Sequence, residues 1–193
     1  MEPKIIILSG SSGVGKSTLV RQLLEVTKPY FSLELSVSAA TRAPREGEQD
    51  GREYHFLSRE DFFAREKRGE FLETFEVFGH GDWYGTLKTE VTERFARGCF
   101  PLLEVDVNGA ERIVEQYPDA ISFFITAGSI EELTKRLEGR GTESQKTLKN
   151  RLAVAEAEMK KARTFYKYTI LNDDVARATD EILQILLEET GNV

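Results

Sequence analysis

The chain has 193 residues, of which 40% are hydrophobic and 31% are charged, a composition typical of a folded globular domain that excludes a disordered chain. Its formal net charge of −7 argues against general binding to nucleic acid or to anionic membranes. A lone cysteine, Cys99, lies in an apolar stretch and excludes an intramolecular disulfide. We therefore expect a cytoplasmic protein without a signal peptide or a membrane-spanning segment.

The first motif follows a short apolar run near the amino terminus. Ile5–Leu8 leads into a glycine-rich stretch with the spacing G-x-x-x-x-G-K-S, and helix-compatible sequence comes next. In this setting the glycines let backbone N–H groups turn toward phosphate oxygens, and the helix dipole adds to that field. A glycine-rich turn without a ligand is the alternative, but every fixed position is filled. We predict a nucleoside triphosphate site formed by Gly10, Ser11, Ser12, Gly13, Val14, Gly15, Lys16, Ser17 and Thr18.

Two side chains of this loop have chemical roles. Lys16 would reach the β- and γ-phosphates, and the Ser17 hydroxyl would bind Mg²⁺.

Further apolar runs without alternation predict buried parallel strands. They lie at residues 4–9, Cys99–Val107, Ile121–Thr126 and Tyr168–Leu171, and helix-period sequence separates them. A last amphipathic helix is predicted over about Asp174–Glu189. This alternation of strands and helices predicts an α/β fold with a mostly parallel sheet covered on both faces.

Two segments interrupt that alternation. Residues 36–90 are polar, aromatic and rich in turns, and the short alternating pieces Leu35–Ser38 and Tyr54–Phe56 predict a small mixed or antiparallel inserted sheet. Residues 129–159 form a charged helical pair that begins at the capping box Ser129-x-x-Glu132. Gly139-Arg140-Gly141 is predicted to end its first helix, and Thr142-x-x-Gln145 to cap the second. A solvated surface hairpin and a mobile lid remain equally open for this pair.

The inserted segment carries candidates for binding a second substrate. Arg42 and Arg45 lie three residues apart beside Pro44, and two guanidinium groups suit a fixed phosphomonoester, although solvated surface arginines are the alternative. Tyr54 could donate to the same phosphate or serve as a sheet aromatic. Glu73 lies between apolar residues and could equally be an exposed strand position.

Two more constellations follow along the chain. The aromatic turn that ends in Trp83-Tyr84-Gly85-Thr86 is either a ligand contact or a structural corner. Glu104 and Asp106 follow an apolar strand at its carboxyl end, with both side chains on the same side. When such a strand lies next to a phosphate-binding loop (P-loop), acids at its carboxyl end lie near the Mg²⁺–phosphate site.

The order of these motifs resembles the guanylate kinase family, and the resemblance covers essentially the whole chain. It is carried by G-S-S-G-V-G-K-S-T at 10–18, S-V-S-A-A-T-R-A-P-R at 36–45, G-R-E-Y-H-F at 51–56, F-L-E at 71–73, W-Y-G-T at 83–86, D-V-N-G-A at 106–110, R-L-E-G-R-G at 136–141, K-N-R-L at 149–152 and L-N-D-D at 171–174. The resemblance implies Mg²⁺-dependent phosphorylation of GMP, and also of dGMP, by ATP. It also implies a three-layer P-loop NTPase core (1–35, 91–128 and 160–193), a GMP-binding segment (36–90) and a helical lid (129–159).

The resemblance further assigns site residues. Catalytic roles fall to Lys16, Arg140 and Arg151, while Asn172 would border the adenine of ATP and Glu104 could reach Mg²⁺ through a bound water. The GMP site would comprise Ser38, Arg42, Arg45, Tyr54, Glu73, Tyr84, Gly85, Thr86 and Asp106. The chemistry agrees, because an ionised Glu73 can accept from guanine N1–H and N2–H₂, and the hydroxyls of Ser38 and Thr86 can donate to O6.

The chain departs from the family pattern in three places. Ala40 stands where many members carry Thr, Glu104 replaces a more usual Asp, and the loop at 80–82 is one residue longer than the commonest form. None of these removes a group with an assigned catalytic role. A protein-binding scaffold with this fold, and a P-loop kinase for a different phosphorylated metabolite, remain as alternative functions. The oligomeric state stays open.

Overall fold

The structure, a computed structural model, describes residues 2–76, 81–138 and 145–191. Within these ranges the strands are β1 Ile6–Gly10, β2 Leu33–Leu35, β3 Ala39–Ala40, β4 His55–Phe56, β5 Phe71–Glu76, β6 Trp83–Leu87, β7 Phe100–Glu104, β8 Ile121–Thr126 and β9 Tyr168–Leu171. The helices are α1 Lys16–Val26, α2 Arg59–Lys67, α3 Lys88–Ala96, α4 Val107–Gln116, α5 Ile130–Glu138, α6 Gln145–Ala162 and α7 Val175–Thr190. Among the described residues, no helix combines the length and the hydropathy needed to cross a bilayer.

A parallel sheet with strand order β2-β7-β1-β8-β9 forms the core. Every residue of β1 is buried, because its apolar side chains alternate between two covered faces. Ile6 and Leu8 pack in one apolar cluster with residues of α1 and α7. Ile5 and Ile7 pack in another with residues of α3 and α4. The predicted α/β fold with a parallel sheet between helical layers is confirmed.

The parallel arrangement brings the carboxyl ends of β1 and β7 to the same edge of the sheet. Leu8 is in register with Glu104, and Gly10 with Ile125 of β8. The glycine-rich loop that leaves β1 therefore begins beside the acid that ends β7. Binding sites of open α/β sheets lie at this edge.

The inserted segment forms a second, mixed sheet with the order β4-β3-β6-β5. β3 pairs with β4 in parallel, whereas β6 runs antiparallel to both β3 and β5. The strand predicted over Leu35–Ser38 is wrong, because Leu35 ends core strand β2 in register with Leu102 and the inserted sheet begins at Ala39. Helix α2 was not predicted either; its Phe62 is fully buried and anchors the small core of this segment.

The charged helical pair is present as α5 and α6. Ser129 Oγ accepts from the backbone N–H of Glu132 at 3.1 Å, which is the cap that the sequence predicts. Leu133, Leu137 and Ala155 of the pair join the apolar cluster that contains Val14, so α5 and α6 pack on the core. Residues 139–144, with the predicted helix end and second cap, lie outside the described residues.

The predicted segment boundaries fall inside helices. Position 90 lies within α3, and the step from 159 to 160 lies within α6. The division into core, GMP-binding segment and lid stays a prediction.

Candidate active site

Three glycines of the loop, Gly10, Gly13 and Gly15, lie where an added Cβ would be too close to a neighbour. A Cβ on Gly10 (φ +148°) would lie 2.3 Å from the carbonyl oxygen of Ile125 in the neighbouring strand, and one on Gly15 (φ +94°) would lie 2.7 Å from Asn172 Nδ2. Gly15 is also the N-cap of α1 and supplies no side-chain acceptor. The backbone N–H of Thr18 donates to the carbonyl oxygen of Gly15 at 3.2 Å, so Lys16 and Ser17 have the first-turn N–H groups that an anion could take, as in a phosphate site.

Lys16 and Ser17 begin α1 at this loop. The ammonium group of Lys16 donates to the carbonyl oxygens of Gly10 at 2.6 Å and Ser11 at 3.3 Å, and burial lowers the pKa of Lys16. The hydroxyl of Ser17 donates to Glu104 Oε1 at 3.2 Å. A hydroxyl beside a carboxylate at a phosphate loop is the kind of oxygen donor set that suits Mg²⁺.

A single cleft of about 380 Å³ joins this loop to the inserted sheet. Ten of the predicted site residues line it: Gly10, Ser12, Lys16, Ser17, Ser38, Tyr54, Glu73, Tyr84, Glu104 and Asp106. The predicted residues Arg42, Arg45, Gly85, Thr86 and Asn172 are not among its lining residues. Residues from both predicted nucleotide sites thus line one cleft.

Glu73 lines this cleft and is only 4% exposed, so the alternative of an exposed strand position is wrong. It is in register with Thr86 of β6, and the Thr86 hydroxyl donates to Glu73 Oε1 at 2.8 Å. Among the residues that the structure describes, none donates to Oε2. A buried carboxylate oxygen without a hydrogen-bond donor can accept a hydrogen bond from a ligand.

Asp106 stands next to Glu73 at the amino-terminal end of α4. As the N-cap it accepts from the backbone N–H of Gly109 at 2.7 Å. A Cβ on Gly109 would lie 3.1 Å from Glu73 Oε2 and 3.2 Å from Asp106 Oδ1, so glycine leaves room for both carboxyl groups. Burial, reinforced by the charge of Asp106, raises the pKa of Glu73 to about 7.

Arg42 is held in a preformed arrangement. Its two terminal nitrogens donate to the Glu48 carboxylate at 2.6 and 2.8 Å, and its Nε donates to the Tyr84 hydroxyl at 3.0 Å. The guanidinium group lies 5.0 Å from the centre of the Tyr54 ring. The Arg42 hydrogen bonds lower the pKa of Glu48 to about 2. Arg45 is exposed, and its backbone N–H also donates to Glu48.

Other predicted residues have different surroundings. Asn172 is buried and donates to the carbonyl oxygen of Val14 at 2.7 Å, so it supports the phosphate loop, a role that the sequence did not suggest. A Cβ on Gly85 would lie 2.7 Å from the carbonyl oxygen of Glu73, so Gly85 permits close strand pairing. Arg151 lies on α6 and is not among the residues that line the cleft. Arg140 lies outside the described residues.

The sequence analysis missed four residues that support the site. Glu48 holds Arg42, and Glu158 of α6 lines the cleft beside the loop residues Ser11 and Lys16. On α4, Arg112 donates to the carbonyl oxygen of Thr74 and Gln116 to that of Leu72, at 2.8 and 2.9 Å. These two carbonyls flank Glu73, so α4 fixes the strand that carries it. Arg112 and Gln116 lie four residues apart on one helix face, which is the signal that could have identified them as a pair.

Comparison with known proteins identifies the family. The family model for guanylate kinase matches residues 2–189. The guanylate kinase of Rhodopirellula baltica is 45% identical over 187 residues, covering 96% of this chain and 88% of the relative. That of Dechloromonas aromatica is also 45% identical, over 186 residues, with 96% and 89% covered.

A solved structure extends the comparison to the fold. The crystal structure of guanylate kinase from Anaplasma phagocytophilum superposes with a TM-score of 0.75 at 32% identity, covering 98% of this chain and 87% of that one. Sequence and fold agree over nearly the full length, and the chain belongs to the guanylate kinase family.

Proposed function

We infer that the cleft transfers the γ-phosphoryl group of ATP to GMP, giving ADP and GDP, the reaction of the family to which the chain belongs. One observation carries this inference best. The buried Glu73 carboxyl group, with an oxygen that no described residue satisfies, faces the same cleft as the phosphate-loop lysine. A selective base site and a phosphate site in one space suit a nucleoside monophosphate kinase.

Guanine fits Glu73 through its hydrogen-bonding edge. An ionised carboxylate can accept from N1–H and N2–H₂ at once, and Oε2 is the oxygen without a donor among the described residues. We propose that Ser38 and Thr86 complete the base site by donating to O6. Adenine has an acceptor at N1 and would leave the buried carboxylate unpaired, so discrimination on the order of 10⁴ is attainable.

The GMP phosphate is proposed to bind Arg42, Arg45, Tyr54 and Tyr84. Arg42 has five N–H groups, and four of them already donate, to Glu48, Ala43 and Tyr84. One N–H on Nη2 is therefore left for the phosphate. The fixed guanidinium plane loses little side-chain entropy when it binds, which favours a preorganised anion site. dGMP carries the same base and phosphate and is proposed as a second acceptor.

ATP is proposed to bind at the glycine-rich loop, with Ser17 holding Mg²⁺ and Glu104 contacting it through a water molecule. The bound cation would neutralise charge on the phosphates. Among the described residues, no group of three or more acidic, histidine or cysteine side chains could hold a metal, and Mg²⁺ in kinases depends mostly on phosphates and water.

Phosphoryl transfer needs no protein nucleophile, because in-line positioning and charge stabilisation carry the reaction. We assign charge stabilisation to Lys16 and, from the family resemblance, to Arg140 and Arg151 of the proposed lid. Asp106 closes the GMP site from the core side. We place the reaction in the cytoplasm, where its nucleotide substrates are found.

The two alternatives account for less of the structure. A scaffold would not need a lysine held at the phosphate loop, or a serine there that donates to an acid of the neighbouring strand. A kinase for another metabolite would not need a carboxylate buried beside Thr86.

A coupled assay that measures ADP release tests the proposal. Purified protein with ATP and Mg²⁺ should turn over GMP and dGMP, and AMP, UMP and CMP at most weakly. The Lys16→Ala variant controls for contaminating kinases. No ADP release with GMP would refute the proposed activity, and equal turnover of AMP would refute the role of Glu73.

A further inference from the structure

The chain passes from the core sheet to the inserted sheet through one short connection. Residues 36–38 join β2 to β3, and the last of them is Ser38, the proposed guanine contact. Opposite this connection, in the first turn of α3, lies Glu90. The residue is only 9% exposed, although nothing in the proposed reaction requires a buried acid there.

Both oxygens of Glu90 bind the region around Ser38. Oε2 accepts from the backbone N–H of Val37 at 2.7 Å. Oε1 lies 2.8 Å from Nε2 of His55, and because a carboxylate can only accept, the imidazole must donate there. The backbone N–H of His55 donates in turn to the carbonyl oxygen of Ser38 at 2.9 Å. Ser38 is thus held from both sides by bonds that converge on one carboxylate.

Glu90 is itself fixed to the core. Arg94, one turn later on α3, contacts Glu90 Oε2 through Nη1 at 2.8 Å, and is also buried. The same guanidinium group donates to the carbonyl oxygen of Leu35 at 2.6 Å, at the end of β2. Charged groups in such a buried arrangement keep their geometry, because breaking one contact leaves another charge unpaired.

We propose that Glu90 is a positioning residue for GMP, which fixes the Ser38 hydroxyl relative to Glu73 through Val37 and His55. The proposal rests on the proposed function of the cleft. It concerns the acceptor side alone, because among the described residues Glu90 contacts none that we assign to ATP. Loss of this support should therefore weaken GMP binding and leave ATP binding and the chemical step unchanged.

The decisive variant is Glu90→Gln. The amide keeps the size of the side chain but loses the charge that pairs with Arg94. It has one acceptor oxygen instead of two, and its NH₂ group keeps a hydrogen bond to His55 only if the imidazole takes the other tautomer. We expect KM for GMP to rise about 5- to 20-fold, whereas kcat and KM for ATP change less than about twofold. Glu93→Gln is the matched control, since Glu93 is exposed on the same helix, and it should leave all three parameters unchanged.

A double-mutant cycle with Ser38→Ala separates positioning from a general structural role. If Glu90 acts through Ser38, adding Glu90→Gln to Ser38→Ala should raise KM for GMP less than about twofold. A full additional rise in the double variant would overturn the proposal, as would an unchanged KM in Glu90→Gln.

A second pair of variants at His55 keeps the test decisive if Glu90→Gln does not fold. His55→Ala should raise KM for GMP, and His55→Gln, which can still donate to Glu90, should restore part of the loss. Equal KM values for both variants and the wild type would contradict the proposal. Absence of GMP turnover by the wild-type protein would instead refute the proposed function itself.

Discussion

The buried Glu73 carboxyl group leads to a prediction in which stability and activity change in opposite directions. Burial raises its pKa from an ordinary 4.5 to about 7, so between these values the folded protein binds more protons at Glu73 than the unfolded chain does. The contribution of Glu73 to the free energy of unfolding therefore falls as the pH rises from about 4.5 to about 7. At about 1.4 kcal/mol for each pH unit, the ionised carboxylate weakens the folded state at pH 8 by about 3 kcal/mol.

Glu73→Gln removes that charge and keeps the side-chain volume. We expect the variant to be more stable than the wild type at pH 8, by up to about 3 kcal/mol, and the difference to shrink toward pH 5. Activity should fall, because the new NH₂ group faces the donors of guanine. The loss in kcat/KM for GMP should be about 2–4 kcal/mol, or about 30- to 900-fold.

Urea unfolding at pH 5 and pH 8, with GMP kinetics over the same range, measures both effects. The wild-type kcat/KM for GMP should rise through a pKa of about 7, as the free enzyme gains the carboxylate form, and this inflection should be absent in Glu73→Gln. Glu76→Gln, at the exposed end of the same strand, is the control and should show neither effect. A stability difference that is independent of pH, or unaltered GMP kinetics, would refute the reasoning.

Substitutions of Lys16, Arg140 and Gly10 test other parts of the site. Lys16→Ala should nearly abolish turnover, because it removes the positive charge that faces the ATP phosphates. The melting temperature should stay close to that of the wild type. Turnover rates near those of the wild type would mean that the loop is only structural. Arg140→Ala, a prediction from the sequence alone, should lower kcat by ~10²–10⁴ with little change in KM for GMP, and Arg140→Lys should restore only part of the rate. A rise in KM for GMP at constant kcat would instead make Arg140 an acceptor-binding residue. Gly10→Ala should lower the free energy of unfolding by about 2–4 kcal/mol, since its Cβ would lie 2.3 Å from the Ile125 carbonyl oxygen. The control is Gly98→Ala, where nothing lies within 4 Å of the added Cβ, and it should lower that free energy by about 1 kcal/mol or less. Equal losses in the two variants would contradict the steric argument.

Four of the five core strands could be predicted because they lie in apolar runs, whereas β2, with the sequence Leu33-Glu34-Leu35, was missed. Ile121–Thr126 and Tyr168–Leu171 have the bounds that the sequence predicts, since β8 is almost entirely buried and β9 is a short run ended by polar residues. The inserted segment was harder to predict. Six of the nine residues of α2 are charged and only Phe62 is buried, so the periodic signal is weak, although Ser58 three residues before Asp61 was a readable cap.

The identity of the site residues could be predicted more fully than their contacts. The motif spacing pointed to Lys16 and Ser17, the family resemblance pointed to Glu73, and all three line one cleft. It could not show that Thr86 donates to Glu73 or that Asn172 holds the loop at Val14. These contacts join residues far apart along the chain, and their pairing depends on sheet register, which a single sequence does not specify.

The central position of β1 affects how the chain is made by the ribosome. β1 pairs with β7 and β8, which are about 90 to 120 residues later, and the side-chain amide of Asn172 holds the loop that follows β1. At a synthesis rate of about 5–20 residues per second, the Ile-rich segment at residues 5–8 waits for several seconds, without its partner strands, before it can be covered. During that interval it is exposed to aggregation, so conditions that slow elongation should reduce the yield of folded protein.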